Sequence, residues 1–288
     1  MIGKKQQFSL ITHHLSPITI FMLITLLTDF GTADYFVGAM KGAIFSVNGD
    51  ARIVDITHEI PPQDIEAGAF ALMAAYPTFP AATVHLAVVD PGVGSNRRPI
   101  VISGGKQFFV GPDNGLFSYV YEREGDARVF HLTNKDYFRP NVSQTFHGRD
   151  VFAPVAGALS MGVRPEQLGA EIKDYVRLSH LMPKLAAGEA IVAAVIHIDR
   201  FGNCITNLTP EHLTESMIAA GASLIINGRK ITSFRRYFSE EAPASDELFA
   251  IWGSSGFLEI AAYCASAARL LGARRGQQVE VMRKRSDG

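Results

Sequence analysis

Two hydrophobic periods alternate along the first half of the chain. From Ile24 the apolar run ITLLTD gives way to DYFVGAMKGAIFSVN, where Phe36, Val37, Met40, Ile44 and Val47 recur at helical spacing. ARIVDI is a second run. After PPQ, Asp64 reads as the N-cap of a helix whose apolar stripe is Ile65, Ala69, Leu72, Met73 and Tyr76. TVHLAVVD, PIVIS and QFFVG follow as further strands, then a short helical LFSYVYERE and the strand ARVFHLT. GRDVFAPVAGALSMG reads as a helix, with Pro154 tolerable only near its first turn.

Continuous β-branched runs alternating with helices predict an α/β domain with a largely parallel sheet covered on both faces. The character changes at HLMPKLAAGEA. Beyond it, AIVAAVIHID, SLIINGRKIT, ELFAIWG, GFLEIAAY and QQVEVMR read as strands, and Asn227-Gly228 between apolar flanks is a two-residue hairpin signal. The expected organisation is an extension over 1–21, an α/β domain over 22–180, a linker over 181–190, and a smaller, mostly antiparallel, barrel-like β domain over 191–288.

Composition narrows the function classes. Nearly half of the 288 residues are apolar, 19% are charged and the formal charge is -1, as in a soluble globular protein with no nucleic-acid surface. Cys204 and Cys264 form neither a disulfide framework nor a metal knuckle, so a reducing cytoplasm is expected. In the N-terminal stretch His13, His14, Ser16 and Pro17 interrupt the apolar tendency, and ITIFMLITLL suits a buried strand better than a membrane span. Neither export nor membrane insertion is expected, and the first 21 residues read as a poorly ordered extension.

The chemistry gathers at strand ends. Asp29, Asp55, Asp90 and Asp199 each close an apolar run, and ligands of open α/β sheets bind outside the carboxyl ends of the strands. Such carboxylates suit hydroxyl or amine recognition, although Asp also favours ordinary turns. No phosphate-cradling loop is present: GVG at 92–94 lacks the helix that a dinucleotide fingerprint needs. His147, in QTFHGRDVFAP, precedes a helix start beside Phe146 and Gly148, the glycine permitting close approach of a ligand. His147 with Arg149 and Asp150 has the look of a metal-ligand fragment, and His58-Glu59 and His197 with Asp199 are scattered further candidates. None has a second ligand pair at convincing spacing, so no metal is expected.

TDFG at 28–31, VVDPGVG at 88–94, GPDNG at 111–115, TFHGRDVFAP at 145–154 and IDRFGN at 198–203 occur in this order. Together they resemble the S-adenosyl-L-methionine (SAM) hydroxide adenosyltransferases, the adenosyl-forming SAM hydrolases, which are related to the fluorinases and chlorinases. The resemblance runs from about Met22 to the C-terminus. It implies hydrolysis of SAM to adenosine and L-methionine without a cofactor, in a homotrimer whose site lies between the N-terminal domain of one subunit and the C-terminal domain of its neighbour. By motif position it implies the catalytic set Asp90, Arg97 and His147. It also implies that Asp29 grips the ribose hydroxyls beside Asp34, Tyr35 and Phe36, and that Phe201 and Asn203 hold the adenine. Asp199, Ser254, Ser255 and Glu259 are then assigned to the methionine ammonium and carboxylate.

Departures from the halogenases favour water as the nucleophile. Their TFYSRE-like segment offers a serine to halide, whereas this chain has Gly148 there with His147 beside it. Asp90 replaces their aromatic and threonine near the reacting carbon and would repel an anion. Ser255 stands where they have an arginine, so carboxylate recognition differs. The alternatives are a SAM-dependent halogenase and a non-catalytic SAM or adenosine sensor.

Overall fold

A computed structural model describes residues 23–179, 181–185, 191–240 and 247–283. The expected N-terminal extension and residues 186–190 of the expected linker lie outside these. The first half contains β1 (Leu23–Thr28), α1 (Phe36–Phe45), β2 (Arg52–Thr57), α2 (Ile65–Ala75), β3 (Val84–Val88), β4 (Pro99–Gly104), β5 (Gln107–Pro112), α3 (Ser118–Arg123), β6 (Arg128–Leu132), α4 (Ala153–Ser160), α5 (Pro165–Leu168) and β7 (Gly169–Ile172). The second contains β8 (Lys184–Leu185), β9 (Ile191–Ile198), β10 (Cys204–Thr206), α6 (Glu215–Ala219), β11 (Ser223–Ile226), β12 (Arg229–Ile231), β13 (Phe234–Arg235), β14 (Leu248–Trp252), β15 (Leu258–Ala262), α7 (Ala267–Leu271) and β16 (Gln278–Met282).

The first sheet has seven strands in the order β2-β1-β3-β5-β4-β6-β7. The pairings β2–β1, β1–β3 and β3–β5 are parallel, whereas β5–β4, β4–β6 and β6–β7 are antiparallel. The sheet is therefore mixed rather than largely parallel. The cause is local: β4 and β5 meet in a tight turn at Gly105-Lys106, both at positive φ, so the chain reverses in a hairpin instead of crossing over through a helix. One face packs on α2 and α3 through Leu72, Met73, Leu116, Phe117 and Val120. The other packs on α1 and α4 through Met40, Ile44, Phe152, Val155 and Leu159. Both faces are covered, as the apolar runs require.

The second sheet follows the order β12-β11-β16-β9-β10-β15-β14-β13, with β8 beside β9, and every pairing is antiparallel except β13–β14. Asn227 (φ 48°) and Gly228 (φ 75°) form the hairpin turn between β11 and β12, both left-handed as a two-residue turn of this type demands. Its core is Val195, Leu224, Ile226, Leu258, Ile260 and Val279. Ile196, Ile205 and Phe257 turn instead towards α2 and join the first cluster, so the two sheets share a continuous apolar seam. Among the described residues no helix is long and apolar enough to cross a membrane.

Candidate active site

Three side chains from separate segments converge past the end of β3. Asp90 follows the last residues of that strand and is tied there through Asn114, whose side-chain amide donates to the Val89 carbonyl at 2.8 Å. The chain then turns through PGVGS, closed by Val93 N to the Asp90 carbonyl and by Ser95 Oγ to the Gly92 carbonyl. Gly94 sits at φ 77°, and a Cβ there would run into the Gln144 carbonyl. A glycine is thus what lets this turn lie against the segment that carries His147. Arg97 returns towards Asp90 at the turn's end.

The guanidinium is the hub. Arg97 Nε donates to both Asp90 oxygens at 2.9 and 3.0 Å, and Nη2 bonds Oδ2 as well. Nη2 also lies 2.9 Å from His147 Nδ1. An arginine nitrogen can only donate, so Nδ1 accepts and the ring proton resides on Nε2. Phe152 lies under the guanidinium, 5.1 Å from its carbon to the ring centroid. The Asp90 and Arg97 side chains are 5% and 8% exposed, and Arg97 Nη1 is buried without a partner. Burial, and next the charge of Arg97, holds the His147 imidazole below its ordinary pKa. The ring is therefore uncharged at neutral pH, consistent with Nδ1 as an acceptor.

His147 stands at the start of a π-helical turn, Gly148–Phe152, that runs directly into α4, with Pro154 in the first turn of that helix as expected. A side chain at Gly148 would meet Met40 and Phe146, both at 3.3 Å, so the glycine also lets this turn pack closely on α1. Arg149 and Asp150 pair with each other. Asp150 is fully buried, takes two bonds from Arg149 and caps Ser143 N at 2.9 Å, bracing the loop. Among the described residues no three His, Cys, Asp or Glu side chains are arranged to hold a metal.

Aromatic rings connect this centre to the TDFG turn. Phe146 meets Phe36 at 5.2 Å and Phe30 at 5.9 Å, and Phe36 stacks on the exposed Tyr35 at 4.6 Å. Asp29 lies beside them, its Oδ2 accepting from Gln63 N at 2.7 Å, and Asp34 is exposed on the same turn. Sequence reasoning missed Phe30, Phe152 and Gln63; the positive φ of Gln63 (66°) leaves no mark in its residue type.

The C-terminal candidates form a second group. Asp199 Oδ1 accepts from Phe201 N and Asn203 N, and Oδ2 from the Asn203 amide, all at 2.9 Å. This carboxylate folds the RFGN turn, leaving Phe201 78% exposed and Asn203 buried at a cavity of ≈ 500 Å³ that Phe238 and Ser266 also line. Glu259 packs against Gly253, next to Ser254 and Ser255, and its pKa is raised, first by burial and then by Asp199. Among the described residues no hydrogen bond, ion pair or ring contact joins this group to Asp90, Arg97 and His147.

Two family models match the chain. The SAM hydroxide adenosyltransferase N-terminal domain matches residues 24–169, and the C-terminal domain of the same family matches residues 193–280. The chain belongs to the SAM hydroxide adenosyltransferase family. It is 39% identical to the (R)-S-adenosyl-L-methionine hydrolase of Methanocaldococcus jannaschii, covering 90% of this chain and 95% of that one. The Thermus thermophilus hydrolase of the same name is 37% identical, over 90% and 99%. The fluorinase of Nocardia brasiliensis is more distant, at 27% over 90% and 96%. In three dimensions the chain is similar to a conserved Thermotoga maritima protein, with a TM-score of 0.83 at 34% identity over 91% of this chain and 100% of that one.

Proposed function

We propose that this chain hydrolyses SAM to adenosine and L-methionine, and that Asp90, Arg97 and His147 carry the reaction. The observation behind it is the Arg97 guanidinium bridging Asp90 and His147 at the carboxyl end of β3. The hydrolase relatives support the substrate. The sulfonium of SAM is already a good leaving group, so no acid is needed to release methionine. The task left to the protein is to align a water with C5′ opposite sulfur.

Bulk water has a pKa of ~15.7. One cation at ~4 Å in an effective dielectric of ~20 is worth ~4 kcal/mol, about three pKa units. Arg97 alone therefore does not make hydroxide abundant, and His147, uncharged, adds a donor rather than a second charge. The catalytic gain comes from orientation: Asp90 holds the Arg97 guanidinium, Arg97 holds Nδ1 of His147, and the ring so fixed offers Nε2–H to the water oxygen. With Nδ1 occupied and Nε2 protonated, the ring has no position for the water's proton. As the C5′–O bond forms and the C5′–S bond breaks, the water's proton is released to solvent, since the SAM cation plus water gives adenosine, methionine and one proton, while Asp90 stays paired with Arg97 and keeps the set aligned.

In this reading Asp29, with Asp34, Tyr35 and Phe36, binds ribose, and Phe146 and Gly148 form the wall beside it. Phe201 and Asn203 take adenine. Asp199, Glu259, Ser254 and Ser255 take the amino acid end, where the raised pKa of Glu259 marks a position that a cationic ammonium would relieve. The two groups lie apart in one chain, which supports a homotrimer with each site shared between the α/β domain of one subunit and the barrel-like domain of the next. The reaction needs no cofactor or metal, and a cytoplasmic setting with access to SAM fits it. Asp90→Asn and His147→Ala are expected to lower kcat by about 10²–10⁴ while KM changes little, measured by steady-state release of adenosine. Near-normal turnover in either variant would overturn its assignment.

A further inference from the structure

The site as described leaves His58 without a role, although it is 4% exposed and lies directly behind the TDFG turn. His58 Nδ1 is 2.9 Å from Thr28 Oγ1, and Nε2 is 3.2 Å from Asp55 Oδ1. Asp55 Oδ2 in turn accepts from Lys41 Nζ at 2.7 Å. At the other end, Thr28 Oγ1 accepts from Phe30 N at 3.3 Å. One assignment of protons satisfies the inner links: Phe30 N–H donates to the Thr28 hydroxyl and the hydroxyl to Nδ1, which leaves Nε2–H beside the Asp55 carboxylate at 3.2 Å, a charge contact rather than an aligned hydrogen bond.

The main chain of His58 repeats the connection, since its carbonyl accepts from Gly31 N at 2.8 Å. His58 thus anchors the two peptide N–H groups that follow Asp29, one through Thr28 and one directly. The loop it begins also supplies Gln63 N to the Asp29 carboxylate. Asp29 is held from below, through its backbone, and from the side, through its oxygen. Thr28 and His58 are buried, whereas Asp55 and Lys41 reach solvent, so the rigid part of the chain is its inner end, next to the turn. Here every link ends on the turn that carries Asp29.

We propose that His58, held by Asp55 and acting through Thr28, is a positioning residue for Asp29 and so sets the preference for a ribose with both hydroxyls. This rests on the reading of Asp29 as the ribose-binding acid. His58 does not touch substrate; it fixes the direction in which Asp29 presents its carboxylate.

The test is kcat/KM for SAM and for its 2′-deoxy and 3′-deoxyribose analogues, in wild type, His58→Ala, Thr28→Val and Thr28→Ser. Thr28→Val removes the one hydroxyl with little change of shape, so the idea remains testable if His58→Ala fails to fold. Expected is a loss on SAM of about tenfold in His58→Ala and Thr28→Val. The same variants should leave at least one deoxy analogue unaffected, and Thr28→Ser should retain the wild-type preference. Equal losses on SAM and both analogues, or no loss on SAM in a folded variant, would overturn the role of His58. If wild type itself turns over SAM and both analogues alike, the reading of Asp29 fails, and this proposal with it.

Discussion

At the scale of single residues, one arginine organises the centre. Arg97 is always charged, always a donor and nearly buried, so the groups around it must be acceptors. Asp90 supplies two oxygens and His147 supplies Nδ1. Protonating the ring would turn that acceptor into a donor facing a cation. Burial and Arg97 both oppose protonation, so the ring stays uncharged until the pH falls beneath the ordinary imidazole value of 6.5. The kcat–pH profile of wild type is therefore expected to be flat through neutrality and to fall on an acid limb below 6.5, the limb belonging to His147. A limb centred above that value would mean that the ring is stabilised as a cation and that its role is charge. Asp90 stood out in the sequence as a carboxylate closing an apolar run and His147 as a histidine beside a glycine at a helix start, whereas Arg97, and the grouping of the three, came only through the resemblance to the family's motifs.

At the scale of elements, apolar periodicity located the strands and helices that pack on both faces, because burial writes itself into residue type. It did not reveal β7, β10 or β13, which are two to four residues long and too short for any period to register. Nor did it reveal the direction of β4, which is decided by a tight turn rather than by hydrophobicity. The purpose of GPDNG is likewise structural and only visible in three dimensions. Asn114 holds Val89, while Asp113 binds Arg98 at 2.7 Å and caps Val176 N at 2.8 Å, bracing the strand end on which Asp90 sits. The turn between Asp90 and Arg97 carries a sharper consequence. Gly94→Ala would impose a left-handed conformation, costing about 1–3 kcal/mol, and drive a Cβ into Gln144. At about 2–4 °C per kcal/mol for a chain of this size, its melting temperature should fall by several degrees. Its turnover should fall as well, because the segments bearing Arg97 and His147 are pushed apart. An unchanged melting temperature with full activity would contradict this account of the turn.

At the scale of the whole molecule, the candidate residues fall into two groups that no described hydrogen bond, ion pair or ring contact joins. The proposed catalytic groups gather at one end of the first sheet, and the exposed Phe201 and the cavity beside Asn203 lie on the second. If neighbouring subunits complete each other's sites, His147→Ala and Asn203→Ala damage different halves. Co-expressed in equal amounts, the two variants should regain about a quarter of the wild-type activity, the share of interfaces in which both halves are intact. Activity no higher than that of the separate variants would place the whole site within one subunit. The central claim is hydrolysis itself, and it is tested most directly by incubating the purified protein with SAM in halide-free buffer and resolving the products by chromatography. Equal release of adenosine and methionine, abolished by His147→Ala, is the predicted result. Unchanged SAM despite binding measured by calorimetry, or turnover only on adding halide with formation of 5′-halo-5′-deoxyadenosine, would contradict it.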